Sequence, residues 1–140
     1  QVNFDDLASV MHVMGDRKLR VVTGPRIVPN TIPWSIPNML KAFELSNIVL
    51  LPTQSGSEHK SPNRLINSLR QGCFAVCEMH PSYFPFRDFV WVGHFHTGLR
   101  WCSAFMDELN DRVREGQDYI RERYSPETIG KQWASFLESL

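Results

Sequence analysis

The sequence carries no excess charge of either sign: fifteen lysines and arginines balance fifteen aspartates and glutamates over 140 residues. Without a net positive field nothing attracts the whole surface to a nucleic-acid backbone or an anionic membrane, so any anion site has to be local. Long apolar runs are also missing. The longest, Ile48-Val49-Leu50-Leu51, is far short of the ~20 residues that a membrane span requires, and the start lacks the basic-then-apolar order of a signal peptide. These absences predict a soluble, cytoplasmic protein with no nucleic-acid partner and no transmembrane segment. Cysteine is scarce and odd in number. Cys73 and Cys77, four apart in a predicted strand, would be separated by roughly 13 Å, too far to bridge, so all three cysteines are expected to be reduced, buried thiols. His94 and His96 would share one face of an extended segment, but no third ligand accompanies them and no metal site is expected.

Apolar side chains make up 42% of the chain, enough for the core of one domain spanning residues 1–140. Phe4, Leu7, Ala8, Val10, Met11 and Met14 recur at helical spacing before Gly15. Residues 18–23 read as a strand. The glycine, prolines and asparagine of 24–33 predict a loop leading to Trp34 and a helix over 35–45. Residues 47–52 are apolar and closed by Pro52, the pattern of a strand buried on both faces of a parallel sheet. After a polar loop over 53–59, Ser61 can cap a helix whose first residue is Pro62 and whose stripe is Leu65, Ile66 and Leu69, with Gly72 as the stop. A strand over 73–77, an irregular segment over 79–87 and a short strand near 89–92 follow. Helices are predicted over 99–109 and 112–124, broken at Asn110-Asp111, and Ser125-Pro126-Glu127 opens the last.

Strand, helix, strand, helix, strand with short connections implies right-handed parallel crossovers, hence an α/β fold, a Rossmann-like three-layer sandwich with a mostly parallel sheet. Ligands of such sheets bind beyond the carboxyl ends of the strands. The loops 24–33, 53–61 and 78–82 fall at that edge. The chain opens on a helical pattern, so the strand and glycine-rich turn that normally begin such a domain are expected to lie outside it.

Lys60, Ser61, Asn63, Arg64 and Asn67 fall on one face of the predicted helix, opposite Leu65 and Leu69. A helix N-terminus offers unpaired N–H groups and a favourable dipole to an anion, and Lys60 and Arg64 add two cations within reach of a diphosphate. Asn67, a turn further on, is placed to bond a ribose hydroxyl. The competing reading is a capped surface helix with two solvated cations.

Residues 47–53, followed by Glu58-His59-Lys60-Ser61-Pro62-Asn63-Arg64-Leu65-Ile66-Asn67 and on through Gly72 to Val76, resemble the carboxyl-terminal domain of GT-B glycosyltransferases of the group-1 type. The segment from Gly116 to Trp133 is similar to that family's tail. The resemblance implies a domain that holds a nucleoside-diphosphate sugar while a separate amino-terminal domain holds the acceptor. It also implies retention at the anomeric carbon, no metal and no cofactor besides the donor. By the same resemblance Lys60, Ser61, Asn63 and Arg64 face the donor phosphates, Asn67 the ribose, and Ile32, Pro33 and Trp34 border the base. Many members carry two glutamates eight positions apart, which fall here at His59 and Asn67. Glu58, next to the first position, and His59 are the candidate catalytic residues.

Two other functions are compatible with this pattern: a nucleotide-sugar epimerase of the same architecture, and a domain that binds a nucleotide or a partner without turnover. His80, beside Pro81, is a candidate pocket liner. Trp91, Trp101 and Trp133 are expected in core or interdomain packing. Cys77 has no histidine placed beside it to act as a base.

Overall fold

The computed structural model describes residues 10, 12–14, 18–23, 31–53 and 60–140. It is an α/β structure built on a small parallel sheet. Strand β4 (Phe74–Cys77) lies between β3 (Ile48–Leu51) and β5 (Trp91–Val92), with Ile48 opposite Phe74 and Val76 opposite Trp91. A second sheet pairs β1 (Val22–Thr23) with β2 (Ile32–Pro33), again in parallel. All four residues of β4 are buried, as a central parallel strand requires. β3 was expected to be buried on both faces, but only Leu51 is: among the described strands β3 has one neighbour, so its other edge is open.

Residues 10 and 12–14 are helical, and five further α-helices are delimited among the described residues: α1 (Ile36–Glu44), α2 (Asn63–Arg70), α3 (Phe95–Ala104), α4 (Met106–Arg123) and α5 (Pro126–Glu138). Ser35 and Ser125 start α1 and α5 by accepting from the backbone N–H of Asn38 and Thr128 at 3.2 and 3.1 Å. α2 differs. Ser61 was expected to cap it, yet Pro62 occupies that position and no side chain caps the helix. A residue preceding proline is held out of the helical region, and the first helical bond is Ile66 N–H to the Pro62 carbonyl at 3.0 Å. Gly72 ends α2 at φ +80°, where only glycine is unstrained.

The core joins Leu65 and Leu69 of α2 to Phe74 and Val76 of β4, and to Val113 and Ile120 of α4. Helices α2, α3 and α4 all pack on β4. Gly98 of α3 permits the closest approach: a Cβ there would lie 2.5 Å from Val76 Cγ1 and 2.6 Å from Trp91 Cδ1.

Several boundaries depart from expectation for identifiable reasons. Ile32 and Pro33, expected in a loop, form β2, and the strand expected over 18–23 is confined to Val22–Thr23. The helix break falls at Phe105 (φ −127°, ψ 44°), not at Asn110-Asp111. Asn110 and Asp111 sit on the exposed face of α4, whose stripe of Leu109, Val113, Gly116 and Ile120 continues without interruption. The segment expected to be irregular contains a 3-10 helix, Pro81–Phe86, that buries Tyr83 and Phe86. Trp91 and Trp101 pack against the core as expected, whereas Trp133 is exposed. Cys73, Cys77 and Cys102 are buried and form no disulfide. The helical pattern over 4–14 and the loops over 24–30 and 54–59 fall largely or wholly outside the described residues, as do Glu58 and His59.

Candidate functional site

The carboxyl ends of β3 and β4 and the N-terminus of α2 converge at one edge of the sheet. β3 runs into Pro52 and Thr53, β4 into Glu78. The Glu78 carboxylate accepts from Thr53 N–H at 2.6 Å and from Thr53 Oγ1 at 2.8 Å, tying the two strand ends together. Lys60 Nζ donates to the Pro52 carbonyl at 3.0 Å, which holds the start of the α2 segment against the end of β3. Lys60 is therefore half-buried and anchored, not a freely solvated surface lysine.

Its ammonium sits in an unfavourable place. Burial and then the nearby Arg64 guanidinium lower its pKa from the usual 10.5, and Glu78 opposes them in part. Arg64 itself is exposed on the first turn of α2. Among the described residues neither cation forms an ion pair. The same turn leaves donors unused: Pro62 has no N–H, the first helical bond begins at Ile66, and the amides of Asn63, Arg64 and Leu65 find no acceptor among the described residues. Two cations and a row of N–H groups without a described acceptor thus face one edge, where the Glu78 carboxylate is engaged by Thr53 and pairs with neither cation, an arrangement that a phosphate would satisfy.

Tyr83 lies near Cys77, Arg64 and Glu78. Its hydroxyl is buried with no hydrogen-bond partner among the described residues. Burial and the Cys77 thiol raise its pKa; Arg64 opposes and Glu78 adds a smaller push upward.

A cavity of about 950 Å³ opens beside this edge, and its lining brings Trp34, Arg64 and Asn67 together with Pro52. Trp34 lines it and is 59% exposed, between the end of β2 and the Ser35 cap. Asn67 is half-buried, one turn after Asn63 and Arg64. Ser61, Asn63 and Pro33 are exposed and Ile32 is half-buried; none of these four lines the cavity. The Pro33 carbonyl accepts from Asn38 Nδ2 at 2.9 Å and so serves α1.

His80 does not line the cavity either. It is buried, with Nδ1 2.8 Å from Ser82 Oγ and 3.2 Å from Ser82 N, and it starts the 3-10 helix. His94 and His96 stack at 5.8 Å on the surface, and no group of three potential metal ligands occurs among the described residues. Glu78 and Tyr83 were not anticipated from sequence as members of the site. The signal for Glu78 was available, an acidic residue immediately after a buried strand and hence at the ligand edge.

No protein-family model, curated protein or solved structure matches this chain, so the site's own chemistry carries the functional argument.

Proposed function

We propose that this chain is the donor-binding domain of a glycosyltransferase, with the Rossmann-like three-layer sandwich of the carboxyl-terminal half of a GT-B enzyme. It binds a nucleoside-diphosphate sugar, with the diphosphate at the N-terminus of α2, the ribose near Asn67 and the base against Trp34. The observation that carries this reading is the proximity of Lys60 to Arg64 beside uncapped helix amides, without a described carboxylate paired to either cation. A diphosphate relieves the repulsion between the two cations and accepts from the free N–H groups in one step. Transfer of the sugar breaks its bond to the diphosphate, and negative charge accumulates on the departing oxygen. Cations fixed at that position favour the transition state over the ground state. Acceptor recognition belongs to a second domain, so residues 1–140 alone are expected to bind the donor without transferring it.

One observation favours a second reading, a domain that binds nucleotide without turnover. Neutral Asn67 stands where the resembled family often has a carboxylate, and Glu78 is already engaged by Thr53. Incubating the complete protein with radiolabelled nucleoside-diphosphate sugars and a panel of acceptors separates the possibilities. Label recovered on an acceptor supports the transferase, isomerised donor an epimerase. Unchanged donor that nevertheless stabilises the protein against heat supports binding without turnover.

A further inference from the structure

None of the residues of α5 is buried. Its first turn is nevertheless fixed: Ser125 caps it, and Thr128 Oγ1 donates to the Glu122 carbonyl at 2.8 Å, which ties the helix to the end of α4. From Gly130 to Leu140 every residue is exposed. A helix of this length standing alone is marginal in water, because most helical stability in proteins comes from packing an apolar face. α5 has such a face. Ile129, Trp133, Phe136 and Leu140 follow one another at intervals of four, three and four residues, the spacing of a coiled-coil seam, with Leu137 beside them. Trp133, Phe136 and Leu137 are 61, 54 and 62% exposed. The Trp133 and Phe136 rings meet edge to face at 6.1 Å, so the ridge they form is already ordered.

Charge and symmetry together indicate what covers this face. At 3.6 residues per turn Glu127, Lys131 and Glu138 fall on the opposite side of α5. The positions flanking the seam, Gly130 and Leu137 on one side and Gln132 and Ser139 on the other, carry no charge. Charges at those flanks are what select a different helix as partner; without them, two copies meet free of like-charge repulsion. A membrane surface is disfavoured, since the polar side holds two glutamates and one lysine where an interfacial helix is rich in basic residues. The seam's spacing also reads the same in both directions, as an interface between identical copies requires. Turned antiparallel about a two-fold axis between Ala134 and Ser135, a second α5 sets Trp133 against the partner's Phe136 and Ile129 against the partner's Leu140. Opposed helix dipoles favour that direction, whereas a parallel pair sets indole on indole. Each copy contributes roughly 500 Å² of apolar side chain, about 1,000 Å² for the pair, the size at which specific interfaces begin.

We propose that the apolar face of α5 is a self-association surface, on which a second copy of this chain lays its own α5 antiparallel with Trp133 of each copy against Phe136 of the other. No residue of α5 lines the cavity of about 950 Å³, so this inference stands apart from the proposed activity.

Sedimentation velocity of the complete protein tests it. The wild type is expected to form a concentration-dependent dimer with a Kd of roughly 1–100 µM, in keeping with a small interface. Trp133→Glu and Phe136→Lys are each expected to raise that Kd at least ~30-fold, as loss of a central aromatic contact does. Both variants should keep the urea midpoint of the wild type when all three are compared at a dilution where the wild type is itself monomeric, because the substituted residues are exposed. Mixing the two variants is the stricter test. In the antiparallel register the introduced carboxylate of one copy faces the introduced ammonium of the other, so the equimolar mixture should regain a dimer that neither variant forms alone. A wild type still monomeric at about 100 µM overturns the proposal, whether α5 is then held by another part of the same polypeptide or by nothing. A dimer that persists undiminished in both variants overturns it too, and so does a mixture that recovers no dimer.

Discussion

The carboxylate of Glu78 binds Thr53 twice across two neighbouring strands, at 2.6 Å to its N–H and 2.8 Å to its hydroxyl. Residue 53 has no ladder partner of its own, because β3 ends at Leu51. Glu78 extends the pairing beyond the strands by a side chain. Pro52, between Leu51 and Thr53, in turn receives the Lys60 ammonium. A chain of contacts thus runs from β4 through Thr53 and Pro52 to the cation that begins the proposed phosphate site.

Removing Glu78 should cost stability through that chain. Glu78→Ala is expected to lower the unfolding free energy by roughly 1.5–3 kcal/mol, the range for hydrogen bonds to a charged group, and Glu78→Gln, which keeps an acceptor oxygen, by less. Urea denaturation of the two variants measures this. Equal losses would show that the hydrogen bonds to Thr53 are not the source.

Gly98 and Gly130 offer a paired test of packing. A Cβ at Gly98 would meet Val76 and Trp91 at 2.5 and 2.6 Å, so Gly98→Ala is expected to destabilise by about 1–3 kcal/mol. Gly130 lies in α5 with nothing within 4 Å, and Gly130→Ala is expected to stabilise by up to about 1 kcal/mol through helix propensity. Denaturation midpoints moving in opposite directions are the expected result.

These examples show what the sequence makes legible. The 47–52 and 73–77 strands stood out because unbroken apolar runs between polar loops leave few alternatives. Helical spacing set Asn63, Arg64 and Asn67 on α2, whereas Lys60 and Ser61, expected on the same helix, precede it because Pro62 fixes its start. Two things were hidden for physical reasons. Burial of β3 depends on how many neighbours the strand has, which its own residues do not encode. The break at Phe105 was hidden because Phe105 is apolar and lies between two helical stripes, whereas Asn110 and Asp111 resemble a break but lie on solvent. Glu78 was legible as an acidic residue just after a buried strand, while its pairing with Thr53 follows from the strand register.

Cys77 should be chemically silent in the folded protein. Burial pushes its thiol from 9.0 up to about 12, so at pH 8 the thiolate is a trace species. Thiol labelling at pH 8 is expected to miss Cys77 until the protein is unfolded. Because the folded value lies above the unfolded one, this thiol's contribution to stability is complete below pH 9 and is lost as pH rises toward 12. Cys73 and Tyr83 are shifted in the same direction. The melting temperature is expected to fall across that alkaline window.

Lys60 gives the proposed site a proton signature. Its pKa is lowered by burial and by Arg64, and a bound diphosphate raises it again. Near and above the lowered value, diphosphate binding is expected to take up protons and to weaken as pH rises. Calorimetry in alkaline buffers of different ionisation enthalpy detects the uptake, and Lys60→Ala should abolish it.

The most direct test of the central claim is isothermal titration of the complete protein with uridine and guanosine diphosphates, comparing wild type with Lys60→Ala and Arg64→Ala. Each variant is expected to bind the preferred diphosphate roughly 10- to 150-fold more weakly, the equivalent of about 1.5–3 kcal/mol for one charge-assisted contact. Added salt should weaken the wild type more than either variant; Arg64→Ala should keep the wild-type melting temperature, whereas Lys60→Ala should lower it by removing the hydrogen bond to the Pro52 carbonyl. Diphosphate affinity unchanged in both variants would contradict the account and leave α2 an ordinary surface helix.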